Sequence, residues 1–131
     1  MTFAVTMPQN FIEGLMLGGE DRGGETIEQL ESLLLEGETV VLATRGDGGG
    51  ALFTKRRLIV VNDAGLFSKR SLVRFIKAGA IAAVSIDASS MLELKLSGAG
   101  FGGIHLFFDP DLDPAKLSRW CGAAMAGEPN S

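Results

Sequence analysis

From Glu38 onward, apolar residues recur at alternate positions in short runs, the period of a half-buried β-strand. The runs are TVVLAT (39–44), ALFT (51–54), LIVV (58–61), the stretch 66–76, AIAAVSID (80–87), MLELKL (91–96) and GIHLFFD (103–109). RGDGGG, NDAG and Ser- or Gly-rich turns separate them. The alternation is cleanest late in the chain. Leu92, Leu94 and Leu96 oppose Glu93 and Lys95, while Ile104, Leu106 and Phe108 oppose His105 and Phe107. Seven short, closely spaced strands predict a small antiparallel barrel or sandwich.

Outside this block the period lengthens to that of a helix. Phe11, Ile12, Leu15 and Met16 predict a short helix between Pro8 and Leu17, ended by Gly18. A second helix follows, with Thr26 and Gln29 as a capping box, Ile27, Leu30, Leu33 and Leu34 as its apolar stripe, and Gly37 as its stop. The last helix starts from Asp113 as N-cap and Pro114 at its first position, and turns Leu117, Trp120, Cys121, Ala124 and Met125 to one side. It is placed to plug one end of the strand assembly. The expected organisation is an N-terminal extension (1–24), one domain (25–126) and a frayed, disordered tail (127–131).

Composition narrows the class. With 131 residues and 46% hydrophobic content, the chain is long and apolar enough for one independent core. No run approaches the ~20 apolar residues of a membrane helix, and MTFAVTMPQNF lacks the features of a signal peptide. Cys121 is the only cysteine, which fits a reducing compartment, so the expected location is cytoplasmic. A net charge of −4 argues against a nucleic-acid partner. Its distribution says more: residues 1–40 hold eight acids against Arg22, whereas residues 41–80 hold eight bases against Asp47 and Asp63. The acidic first third is expected to pair with the basic middle, within one subunit or between subunits.

No motif carries catalysis. Gly98, Gly100 and Gly103 spell G-x-G-x-x-G, but a strand follows where a dinucleotide site needs a helix. Asp109, Asp111 and Asp113 are spaced like the start of a calcium loop, yet Pro114 and Trp120 stand where that loop needs glycine and glutamate. Cys121 and the lone His105 lack a spacing that unites them, and Cys121 reads as a buried, inert thiol. Neither a metal nor a cofactor is expected. Phe53, Phe67, Phe75, Phe101 and Phe108 read as core, whereas Phe107 shares an outer face with His105. These two, with Phe11, Leu15 and Met16, form the candidate interface.

The order LLLEGETVVL (33–42), LFTKRRLIVV (52–61), NDAG and FIKAGAIAAVSI (75–86) resembles the bacterial pleckstrin-homology-like domains, notably a group catalogued as a domain of unknown function. A Gly-Glu before the first strand and T-x-x-R-L-[IV] at the second hairpin are shared with GRAM domains, and LMLGG (15–19) is similar to the same bacterial group. The resemblance spans about residues 25–126. It implies a mainly β, PH-like seven-stranded barrel or sandwich capped by a C-terminal helix and preceded by one or two N-terminal helices. It also implies ring-like homo-oligomers and no catalytic residues. Two departures stand out. The first hairpin loop, RGDGGG, lacks the basic pattern of phosphoinositide binders, and the family's Ile-Pro-Tyr corner is Ile76-Lys77-Ala78.

The KRR of LFTKRRLIVV divides accordingly. Lys55 and Arg56 are expected at a solvated hairpin tip and Arg57 at the head of the returning strand. A tight NDAG turn would pair Val61 with Leu66 and set Arg57 against Arg70, so a neutralising partner is expected nearby. The acidic helix around residues 25–36, in this or a neighbouring subunit, makes the domain a non-catalytic assembly module with protein partners. The alternative is an anion or lipid-headgroup site formed by Lys55, Arg57, Lys69 and Arg70. Membrane association is not the expectation, because the N-terminal segment carries acid and no lysine.

Overall fold

The computed structural model describes residues 12–46, 49–62, 72–98 and 101–127. Phe11, Phe67, Lys69, Arg70 and the tail beyond residue 127 lie outside the described residues. Two sheets stack face to face as an open sandwich. One has the order β1-β9-β8-β7, the other β2-β3-β4-β5-β6. Their strands are β1 (Ile12–Met16), β2 (Gly19–Glu20), β3 (Val40–Gly46), β4 (Gly49–Thr54), β5 (Arg57–Asn62), β6 (Leu72–Lys77), β7 (Ile81–Asp87), β8 (Leu92–Gly98) and β9 (Phe101–Phe108). The last seven correspond to the seven alternating runs. Helix α1 (Glu25–Leu30) and a 3-10 turn (Glu31–Leu33) precede β3, and α2 (Pro114–Ala126) closes the chain.

The five-stranded sheet is apolar on both faces, which explains the near-continuous apolar runs of its central strands. Ala51, Phe53, Leu58, Val60 and Ile76 face the other sheet and α2. Leu52, Ile59 and Val61 face outward into a second cluster, covered by Leu30, Leu33 and Leu34. Every residue of β4 is consequently buried. The four-stranded sheet buries only one face, through Leu92, Leu94, Leu96, Ile104, Leu106 and Phe108. This one-sided burial is what the clean alternation of β8 and β9 encodes.

The N-terminal expectation is corrected. Residues 12–16 form a strand, not a helix, and pair parallel with β9 in the register Ile12↔Ile104, Leu15↔Leu106, Met16↔Phe107. Leu15 and Leu17 enter the core while Met16 points out. The chain then crosses between sheets. The Leu17 amide donates to Phe107 O (2.8 Å), Asp109 N to Gly18 O (2.9 Å) and Asp21 N to Ala43 O (2.9 Å). The expected capping box is also absent. Gly24 is the N-cap; the Asp21 carboxylate accepts from the Thr26 amide, and the Thr26 hydroxyl donates to Thr44 O at 3.1 Å.

Helix α2 follows its sequence signals. The Asp113 side chain accepts from the Ala115 amide and Pro114 is the first helical residue. Leu117, Trp120, Cys121 and Ala124 enter the core, whereas Met125, expected among them, is half exposed. Trp120 meets Phe53 edge-on (centroids 5.1 Å apart, 79°), and its indole N–H donates to the Thr54 carbonyl at 2.5 Å. None of the described helices is long and apolar enough to cross a membrane.

Candidate functional site

The tip of the β4–β5 hairpin is organised by Thr54, a fully buried threonine. Its hydroxyl accepts from the amides of Arg56 and Arg57 (3.1 Å each) and donates to Glu38 Oε2 (2.8 Å). This local side-chain turn lets Lys55 and Arg56 project into solvent, as expected, and starts β5 at Arg57. Arg57 then grips Glu38 with both prongs: Nε donates to Oε2 and Nη2 to Oε1, each at 2.8 Å. The same Nη2 lies 2.6 Å from Leu33 O, and the guanidinium sits 4.9 Å from the centroid of the Phe75 ring. The Leu35 amide supplies a further donor to Glu38 Oε1 at 2.9 Å. Arg57 thereby holds the Glu38 carboxyl down at about 2, against an ordinary value of 4.5, and Glu38 in turn raises the Arg57 pKa.

Two details of the expectation change. The residue opposite Arg57 is Lys77, not Arg70, because β5 pairs with β6 in the register Asn62↔Leu72 through Arg57↔Lys77. A like charge does face Arg57, and a neutralising acid is present. That acid is Glu38, two residues beyond the helical stretch singled out, and it lies in the same chain. The acidic first third meets the basic middle again where Glu25 pairs with Arg45 at 2.8 Å, while Glu20 reaches Lys116 of α2 at 2.8 Å. Of the four cations in the candidate anion site, Lys55 is exposed at the tip and Arg57 is bound to Glu38. Lys69 and Arg70 lie outside the described residues.

The candidate interface residues divide as well. His105 and Phe107 stand side by side on the outer face of β9, ring centroids 4.5 Å apart, with Glu93 Oε1 2.7 Å from His105 Nε2. Met16 is on the same face and 45% exposed, whereas Leu15 points inward and is buried. Beside His105 the face is shallow, lined by Ala83, Ser85, Ser97 and Gly103 with Lys95 among them. Cys121 lies in the core, remote in character from this face, and burial pushes its thiol up to about 11. Among the described residues no group of three His, Cys, Asp or Glu side chains is placed to hold a metal ion. Phe75, read from the sequence as core, is 50% exposed.

Stacked sheets of this order, closed at one end by a C-terminal helix, form a pleckstrin-homology-like fold. Solved structures of similar fold come from bacteria. A DUF1696 family protein with a pleckstrin-homology domain from Shewanella loihica PV-4 superposes with a TM-score of 0.68, at 20% identity, over 82% of this chain and 96% of its own. A pleckstrin homology domain from Shewanella amazonensis SB2B gives 0.62 and 20%, over 82% and 90%. A PH-domain-containing protein from Exiguobacterium sibiricum 255-15 gives 0.57 and 12%, over 72% and 53%. No protein-family model matches the sequence, and a search of curated proteins finds no match.

Proposed function

We propose that this PH-like domain is a non-catalytic binding and assembly module that associates with further copies of itself. The observation that supports this reading is an asymmetry between the two sheets. The outer face of the five-stranded sheet is covered by α1 and the turn after it. Among the described residues, nothing covers the outer face of the four-stranded sheet, where Met16, His105 and Phe107 cluster beside small residues. Exposed apolar and aromatic side chains beside small residues, with the charged Glu93 and Lys95 among them, suit a protein interface. The ion pair between Arg57 and Glu38 also favours this reading over an anion site centred on Arg57.

Light scattering on the eluting full chain tests the proposal. The 13.8 kDa chain should elute as an assembly at micromolar concentration, and Phe107→Lys, which faces Glu93, with Met16→Glu beside it should return it to monomer while unfolding stays cooperative. A monomeric wild type, or an assembly indifferent to both substitutions, would overturn it.

A further inference from the structure

A second surface, separate from that sheet face, has a different chemistry. The tip of the β4–β5 hairpin, the end of β6 with the 3-10 turn Ala78–Ala80, and the C-terminal end of α2 enclose a groove of about 600 Å³. A hollow of about 290 Å³ adjoins it and shares Lys55, Ala78, Ala123 and Ala124 with it. Every charged residue among the described lining is a cation: Lys55, Arg56, Arg57, Lys77 and Arg119. This runs against the net charge of the chain, which is −4. Glu38 neutralises Arg57, but the exposed Lys77 and Arg119 make no ion pair with any described residue. Between the cations the walls are apolar, with Phe75 and Val41 half exposed and Ala78 and Ala124 beneath them.

We propose that this groove docks an acidic, extended peptide segment of a partner protein, seating an apolar side chain near Phe75 and carboxylates against Arg56, Lys77 and Arg119. Charge complementarity is the first argument: Arg56, Lys77 and Arg119, set over an apolar floor, recruit and orient an acidic segment. The second is the backbone. β6 is an edge strand, with no described strand beyond it, so among the described residues its outward main-chain donors and acceptors near Phe75 and Lys77 are open to an extended segment. The third argues against a compact anion. Helix α2 ends at the groove with no basic residue in its last turn, so the negative end of its dipole faces any small anion seated there. Carboxylates spread along the rim avoid that repulsion. A concave groove also suits a peptide better than a bilayer surface.

The test uses the full chain and an array of short glutamate-rich peptides, each with one central phenylalanine or leucine. The best binder is then labelled with fluorescein and titrated by anisotropy. Saturable binding is expected, weakened roughly tenfold or more by Lys77→Glu or by Arg119→Glu and by alanine at the peptide's apolar position. Both substituted residues are exposed, so the unfolding midpoint should stay unchanged. Failure of the whole array to bind, or binding indifferent to both reversals, overturns the proposal. So does binding of phosphatidylserine vesicles or inorganic phosphate with the same dependence on Lys77 and Arg119, which would assign the groove to an anion or lipid. Because neither Met16 nor Phe107 lines the groove, loss of self-association leaves this outcome independent.

Discussion

Arg57 and Glu38 meet through two parallel 2.8 Å hydrogen bonds, in a setting where the Glu38 side chain is 0% exposed and that of Arg57 19%. The contact joins two of the short motifs in the resemblance, the Gly-Glu before the strand β3 and the T-x-x-R of the second hairpin. Thr54 completes it, because its hydroxyl bonds the same carboxylate while holding the hairpin turn. The pair thus ties the segment after α1 to the β4–β5 hairpin, and through the Thr54 carbonyl to Trp120 of α2.

Removing one partner strands the other. Arg57→Ala should destabilise the fold by about 2–4 kcal/mol, since a buried carboxylate loses both its counter-charge and two donors. Arg57→Lys should recover only part of that, because an ammonium cannot present the planar fork. In a denaturant-unfolding cycle, Arg57→Met combined with Glu38→Leu should cost less than the sum of the two single changes.

The same pair sets an acid limit on stability. Glu38 titrates lower in the folded chain (about 2) than its ordinary 4.5, so the folded state binds this proton less readily than the unfolded state. Its stabilisation is fully present above about pH 5 and declines as pH falls toward 2. Allowing for solvent screening of the partly exposed Arg57 at the end of the sheet, the loss attributable to Glu38 is about 1–2 kcal/mol. Urea midpoints measured across this range should fall with acid in the wild type and fall less in Arg57→Met.

The strands from residue 40 to 108 were legible because their signals are local: two-residue alternation in β8 and β9, and short continuous apolar runs bounded by turn residues in β4 and β5. β1 was not, for a reason visible in its geometry. A register irregularity between Ile12 and Leu15, with Gly14 at φ 64°, breaks the alternation and leaves a spacing that mimics a helix. Its partner, β9, lies some ninety positions along the chain, beyond any local pattern. The cation cluster was legible as charge, but its pairing was not. Tertiary register decides that Arg57 faces Lys77 and turns to Glu38, and the half-exposed Phe75 and the groove beside it follow from the same register.

Cys121 should behave as a core side chain. Burial raises its thiol to about 11, so the reactive thiolate is scarce at pH 8. Native protein should react with a disulfide reagent no faster than it unfolds, and urea should release one equivalent per chain at the pace of an exposed cysteine. Rapid labelling of the folded chain would contradict the placement of α2.

Two glycines with similar φ should respond very differently to alanine. Gly18 has φ 71°, and a Cβ there would lie 1.9 Å from the Arg45 carbonyl oxygen, where the bend after β1 crosses the end of β3. Gly37 has φ 77° but open space around the missing Cβ. Gly37→Ala should therefore cost only the left-handed backbone penalty, about 1 kcal/mol. Gly18→Ala adds a clash between two main chains, which neither can relieve without breaking the bonds from Leu17 to Phe107 and from Asp109 to Gly18. Its cost should exceed about 3 kcal/mol, enough to lower the melting temperature of a chain this size by roughly 10 °C. Thermal unfolding of the two variants side by side separates backbone conformation from close packing, and equal losses would place the crossing of the two sheets elsewhere.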